Sequence, residues 1–314
     1  MKASLFKLCM LAFLYLLSGC AAKDVREVTL NAQLPKRVEL SDTPFFPQEL
    51  YQCGPAALAT ALNAVNIQVS PEQLTPEVYI PSRNGSLQIE MLAAARRHGA
   101  VAVQTPPKLQ PLLQEIAAGN VVVVMQNLGL SWAPSWHYAV VVGYDLDREL
   151  IWLRSGTFKR FEMTLSAFQR TWARSGYWAF TALPPEKLPA TASVDHVVNA
   201  LLAYEKNASP KQKKMAYQTA VKRWPDNFVL LMGLGNSAYA ENDLAAAANA
   251  FQQAIEANPA HAAAYNNLAH VLLAQKNPVR AKAIAEQGLA LAKNDEKLRS
   301  QIMQTLSEIQ AHPK

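Results

Sequence analysis

The chain has 314 residues, of which 50% are hydrophobic and 17% are charged, and its formal net charge is +6. A chain of this length is expected to form about two domains, each with enough apolar residues to bury a core. This composition excludes wholesale disorder, a collagen-like repeat and a small disulfide-stapled scaffold. The basic residues are scattered among acidic ones, so we expect no nucleic-acid partner.

The first residues, MKASLFKLCMLAFLYLLSGC, have the features of a bacterial export signal. Two lysines precede an apolar segment at residues 8–17, which is shorter than the about 20 residues needed to span a bilayer. The sequence LSGC at residues 17–20 resembles the bacterial lipobox. This resemblance implies that residues 1–19 are a lipoprotein signal peptide and that lipidated Cys20 becomes the first mature residue.

The residues after the lipobox bear on where the protein is located. Ala21 and Ala22 follow Cys20, and by analogy with lipoprotein sorting in Gram-negative bacteria the lack of an aspartate here implies the outer membrane, facing the periplasm. An ordinary secretory signal with a chance cysteine is the alternative. Once Cys9 is removed and Cys20 is lipidated, Cys53 is the only thiol left. A lone cysteine in an oxidising compartment cannot form an intramolecular disulfide, so we expect it to be buried or used.

The remaining chain divides by its patterns into four segments. Residues 20–44 lack clear periodicity and predict a lipidated N-terminus and tether that includes at most one short strand, and residues 184–193, PPEKLPATAS, predict a linker. Residues 45–183 predict an α+β domain, with helices early in the segment and an antiparallel sheet after them. The expected helices are at 55–65, 87–98, 108–118 and 164–173, and the expected strands are at 101–104, 121–125, 137–144, 150–153 and 177–183.

Residues 194–314 repeat with a period of 34 residues, which separates Tyr217 from Phe251 and Pro225 from Pro259. The positions that resemble the tetratricopeptide repeat are Leu234, Gly235, Ala247, Phe251, Ala254 and Pro259. This resemblance implies an all-α tetratricopeptide-repeat solenoid that recruits a protein partner. We expect repeats at 194–227, 228–261 and 262–295, with a capping helix at 298–309. A generic alanine-rich helical bundle is the alternative.

Cys53 is the candidate nucleophile because it stands at the start of the helix predicted at residues 55–65. The positive end of the helix dipole favours a thiolate, so we expect a depressed pKa for Cys53. A cysteine nucleophile also needs a histidine to take its proton. His98 ends a helix beside two arginines, whereas His137 opens an apolar strand where its ring can face a cleft. The alternatives are a small buried thiol and an ordinary core histidine.

Residues 45–183 resemble the bacteriocin-processing family of papain-like cysteine peptidases, which cut leader peptides after a double glycine. Within PFFPQELYQCGPAA at residues 44–57, Cys53 matches the catalytic cysteine and Gln48 matches the glutamine that supplies an oxyanion donor. His137 matches the catalytic histidine. Ser155 stands where the family has an aspartate that orients the histidine. The resemblance implies an α+β papain-like cysteine peptidase domain.

The sequence therefore predicts a lipid-anchored periplasmic cysteine peptidase that acts on a peptide or protein substrate. The alternative is a catalytically inactive adaptor that binds peptides or proteins without cleaving them, and Ser155 in place of aspartate favours it. Transfer to an amine instead of water would use the same residues. Trp132, Trp136 and Tyr138 either line a peptide cleft or are ordinary core aromatics. With no metal-ligand cluster and no phosphate-binding or dinucleotide motif, we expect no cofactor.

Overall fold

The structure is a computed structural model that describes residues 24–31, 33–47 and 52–311. It divides into two compact units. One extends to Pro184 and includes Pro189–Ser193, and the other comprises Pro185–Leu188 and the chain from Val194 onward. No helix among the described residues is long and apolar enough to cross a membrane.

The first unit is an antiparallel sheet with helices on both faces. Its helices are α1 (Cys53–Asn63), α2 (Pro71–Val78), α3 (Gln88–Arg97), α4 (Leu109–Ala117) and α5 (Leu165–Ala173). Its strands are β1 (Arg37–Glu39), β2 (Tyr79–Ile80), β3 (Gly85–Ser86), β4 (Val101–Gln104), β5 (Val122–Asn127), β6 (Trp136–Asp145), β7 (Leu150–Ser155), β8 (Phe158–Thr164) and β9 (Ala179–Leu183). Residues 24–29 are also helical.

The main sheet has the strand order β4-β9-β5-β6-β7-β8, and all of its pairings are antiparallel. The first half of strand β6 pairs with β5, and its second half pairs with β7. Strand β1 also pairs with the second half of β6, on the edge opposite to β7. Strands β2 and β3 form a separate hairpin. The start of β6 therefore lies centrally in the sheet, next to the end of β5.

Apolar side chains fill both faces of this sheet. Val123 of β5 packs into a core with α1, α2 and α3, whereas its neighbours Val122 and Val124 pack into a second core with α4 and α5. Successive side chains of a strand point to opposite faces, so a strand covered on both sides reads as a continuous apolar run. This is why the central strands could be predicted from the sequence.

The segment expected to be a tether is packed against the sheet over its described part. Val25, Val28 and Leu34 are buried in the core formed by α4 and α5. Arg37–Glu39 forms β1 and pairs with the end of β6. The short strand allowed for within residues 20–44 is therefore observed as β1, but the prediction of a tether is wrong for the described residues from 24 onward, because scattered apolar residues are buried here without a regular period.

The predicted linker at residues 184–193 is also held in place. The carboxylate of Glu115, a buried residue of α4, accepts hydrogen bonds from the backbone N–H of Ala190 at 3.1 Å and of Thr191 at 2.7 Å. The Thr191 hydroxyl donates to the same carboxylate at 2.6 Å. A buried carboxylate needs such donors, so these bonds fix Ala190 and Thr191, at the end of the predicted linker, to the first unit.

The second unit is all helical between residues 194 and 311. Its helices are α6 (Val194–Tyr204), α7 (Pro210–Arg223), α8 (Phe228–Ala240), α9 (Leu244–Ala257), α10 (Ala262–Ala274), α11 (Pro278–Leu291) and α12 (Glu296–Ala311). The bounds of α10 and α11 lie 34 residues beyond those of α8 and α9. Gly235 lets α8 and α9 cross closely, since a Cβ there would lie 2.5 Å from the Phe251 ring. The expected fold class, an α+β unit followed by repeat helices, is confirmed.

Candidate active site

A cleft of about 730 Å³ in the first unit lies between the start of α1, the β2–β3 hairpin and the start of β6. Its walls are residues 83–88 and 134–138, with Met125 and Gly156. Cys53 and His137 both line it. The structure thus places the predicted nucleophile and the predicted histidine in one cleft.

Cys53 is the first residue of α1 and is half-buried. Pro55 in the first turn suits a helix start, where its missing N–H costs no hydrogen bond. The backbone N–H groups of Tyr138, Gly54 and Cys53 itself lie close enough to the sulfur to lower the pKa of the thiol. Because Tyr138 follows His137 directly, the thiol lies against the start of β6.

The protonation states differ from the sequence-based expectation. Burial raises the pKa of the Cys53 thiol above its usual value and outweighs the three backbone N–H groups, which lower it. Burial also lowers the pKa of His137. The expectation of a depressed pKa for Cys53 is therefore wrong, because loss of solvation outweighs the helix N-terminus. Both shifts favour a neutral thiol beside a neutral imidazole in the resting protein.

His137 is held by Ser155, the residue expected beside it from the sequence. Its Nε2 atom is hydrogen-bonded to the Ser155 hydroxyl at 2.8 Å. Ser155 is the last residue of β7, the strand next to β6. With Nε2 engaged, Nδ1 is the ring nitrogen left to take a proton from a nucleophile. His98 has a different place, since its Nε2 atom lies 2.8 Å from Glu77 Oε1 and it caps the end of α3.

The β2–β3 hairpin packs directly against the start of α1, where Gly54 faces Ser86. A Cβ at Gly54 would lie 2.6 Å from Ser86 Cβ, a distance that packed atoms do not adopt. The Tyr138 hydroxyl donates to the Ser86 carbonyl at 3.1 Å and ties the hairpin to β6. The glycine after Cys53 is therefore needed for the cleft wall, which the sequence-based reasoning did not predict.

Arg154 is a second residue that the sequence-based reasoning missed. It is 3% exposed, and its Nη2 donates to the carbonyls of Ser41 at 2.9 Å and Thr43 at 3.0 Å. Its Nη1 donates to the Lys159 carbonyl. This guanidinium therefore holds the segment containing Ser41 and Thr43, which precedes Cys53 in the chain, against β7 and β8. An arginine within the apolar run of a buried strand was the available signal.

The three aromatic residues singled out from the sequence fall into two groups. Trp136 and Tyr138 line the cleft, whereas Trp132 is 84% exposed and lies outside its walls. Two other sequence predictions, the oxyanion donor Gln48 and the lipidated Cys20, lie outside the described residues.

Comparisons with known proteins divide the chain in the same way. Residues 40–180 match the peptidase C39-like family, and residues 215–248 and 238–301 match tetratricopeptide-repeat families. No curated protein matches the chain.

Three solved structures are similar to parts of the chain. A C39-like peptidase from Bacillus anthracis is 19% identical, with a TM-score of 0.41, over 48% of this chain and 98% of that one. The TPR2B domain of yeast Sti1, in a complex with pHsp70, is 17% identical, with a TM-score of 0.36, over 38% and 96%. The Yersinia enterocolitica type III secretion translocator chaperone SycD is 12% identical, with a TM-score of 0.36, over 38% and 83%.

Proposed function

We propose that the protein is a lipid-anchored cysteine peptidase in which Cys53 is the nucleophile and His137 is the general base and acid. One observation carries the proposal. The Cys53 sulfur lies against the start of β6, and the histidine that opens this strand shares its cleft and is hydrogen-bonded to Ser155. A cysteine peptidase needs a thiol, a histidine and a group that holds the histidine.

The proposed reaction begins from the neutral pair. His137 takes the thiol proton as the Cys53 sulfur attacks the carbonyl carbon of a peptide bond. The imidazolium then gives this proton to the leaving amine, and a thioester forms on Cys53. Water hydrolyses the thioester and releases the acid, or an amine takes the acyl group instead. Gln48 and the Cys53 backbone N–H are the proposed donors to the oxyanion.

The remaining parts of the proposal concern placement and partners. We assign Cys20 as the lipidated residue and the periplasmic face of the outer membrane as the location. The repeats of the second unit recruit a protein partner, because stacked helix pairs build an extended binding surface. Cys20→Ala should abolish incorporation of labelled fatty acid. Unchanged labelling would rule out this anchor.

An inactive adaptor is the second candidate, and Ser155 favours it. A serine can hold the ring of His137 at 2.8 Å, but it carries no charge to stabilise the imidazolium that forms during acyl transfer. In this case the cleft would bind polypeptide segments without cutting them.

The two candidates separate in a cleavage assay with a pooled peptide library read by mass spectrometry. We expect cleavage by the wild-type chain and none by Cys53→Ala or His137→Ala. His98→Ala is the matched control, since His98 pairs with Glu77 outside the cleft walls. Peptides retained but uncut by all variants would establish the adaptor. Cleavage that survives Cys53→Ala would contradict the assigned nucleophile.

A further inference from the structure

The loop between β5 and β6 presents large apolar side chains to solvent. Leu128 and Leu130 are each 52% exposed, Trp132 is 84% exposed, and Trp136 at the start of β6 is 51% exposed. Residues 127–136, NLGLSWAPSW, contain no charged side chain. An exposed apolar cluster of this kind marks an interaction surface.

The fold holds this loop in its exposed form through the side chain of Asn127, which is only 2% exposed. Its Oδ1 atom accepts from the backbone N–H of Gly129 at 3.0 Å and of Ser135 at 2.9 Å. Its Nδ2 atom donates to the Leu130 carbonyl at 3.4 Å. A Cβ at Gly129 would lie 2.8 Å from the Ser135 nitrogen, so the turn requires glycine there.

Backbone hydrogen bonds also cross the loop. The Leu128 N–H donates to the Ser135 carbonyl at 2.9 Å, and the N–H groups of Leu130 and Ala133 each donate to the other's carbonyl at 3.1 and 3.2 Å. Backbone groups bonded within a loop do not have to be stripped of water when the loop enters an apolar medium. These bonds therefore lower the cost of moving the bonded part of the loop into such a medium.

We propose that this loop, with Trp132 at its tip, inserts into the surface of a lipid bilayer. A polypeptide ligand would bury apolar side chains inside a groove, but Leu128, Leu130 and Trp132 all lie outside the cleft walls. Tryptophan and leucine on an uncharged, protruding loop suit the boundary between headgroups and acyl chains.

The proposed lipid anchor at Cys20 also favours a lipid bilayer as the binding partner of this loop. The described structure begins at Asp24, four residues after Cys20. If Cys20 is acylated as proposed above, the anchor lies at most about 14 Å of chain from the first described residue of this unit. Such a short connection keeps the first unit at the bilayer surface, where an exposed apolar loop can reach the lipid. The contacts within the loop do not depend on this anchor.

The test uses the chain from residue 21, which keeps every described residue and lacks the lipidation site. Sedimentation with neutral phosphatidylcholine vesicles measures its partition into the bound fraction. We expect Trp132→Ser to weaken the partition by at least about tenfold, because burying one large apolar side chain contributes that factor or more. Val279→Ser is the matched control, since Val279 is 83% exposed in the second unit. Binding should persist in high salt, because the loop is uncharged.

Three results would overturn the proposal: unchanged partition of Trp132→Ser, an equal loss in Val279→Ser, or a loop variant that binds vesicles normally but captures library peptides less well. The last result would assign the surface to a polypeptide. The outcome is independent of catalysis, because Cys53→Ala should bind vesicles like the wild type whether or not the cleft cuts peptides.

Discussion

Replacing Ser155 tests whether its hydrogen bond to His137 supports the proposed chemistry. The bond joins two uncharged groups at 2.8 Å, and bonds of this kind contribute about 0.5–1.5 kcal/mol net. If the bond persists in the transition state, Ser155→Ala should lower kcat/KM by about 2-fold to 13-fold, since about 1.36 kcal/mol is a factor of ten.

Ser155→Asp, in contrast to Ser155→Ala, should stabilise the protonated ring of His137. Burial lowers the pKa of His137 in the wild-type protein. The ring therefore stays neutral at pH values somewhat below 6.5, the ordinary histidine pKa being about 6.5. A carboxylate beside the ring favours imidazolium and should raise the pKa of His137 by about one pH unit or more. The acidic limb of kcat/KM, which requires neutral His137, should then move to higher pH.

Titration of the histidine ring protons by nuclear magnetic resonance measures this pKa without a known substrate. The protein has six histidines, and the signal lost in His137→Ala identifies the relevant one. Thr157→Asp is the matched control, since it adds the same charge two residues away at an exposed position. An equal shift in both aspartate variants, or no shift in Ser155→Asp, would refute the direct contact.

Three further predictions follow from burial and close packing. Burial raises the pKa of Cys53 above the ordinary cysteine value of about 8.5, so the rate of alkylation by iodoacetamide should still increase above about pH 8.5. A rate that reaches its plateau below about pH 7.5 would contradict this. Gly54→Ala should destabilise the first unit by about 1–3 kcal/mol in urea unfolding, because Ser86 must move. Gly235→Ala should cost the second unit a similar amount through its clash with Phe251, and unchanged midpoints would disprove either clash.

The 34-residue repeat of the second unit and the continuous apolar runs of the sheet strands made the fold class predictable. The strand expected at residues 101–104 is observed as Val101–Gln104, because both faces of this sheet are covered. Strand β8 was missed because nearly all of its residues are exposed, so its sequence lacks an apolar pattern. Helix α2 was hidden by Pro76 within it, although the capping box of Ser70 and Gln73 was a usable signal.

The candidate site was predictable as a set of residues but not as an electrostatic environment. Cys53 and His137 could be selected because a helix start and a strand start bring such side chains into a cleft. The pKa directions could not be predicted, since they depend on how much solvent the folded chain removes from each group. Two of the partners of Arg154 were equally unpredictable, because the carbonyls of Ser41 and Thr43 lie more than a hundred residues earlier in the chain.

The position of Arg154 determines where a recombinant fragment of the first unit can begin. A fragment starting at residue 45 would lack β1 and the carbonyls of Ser41 and Thr43, and the buried guanidinium would lose most of its acceptors. Leaving a buried cation without partners costs several kcal/mol, which is a large part of a domain's stability. The family match begins at residue 40, yet Val25 and Val28 already belong to the core. A deletion series should therefore stop yielding soluble fragments once it passes residue 24.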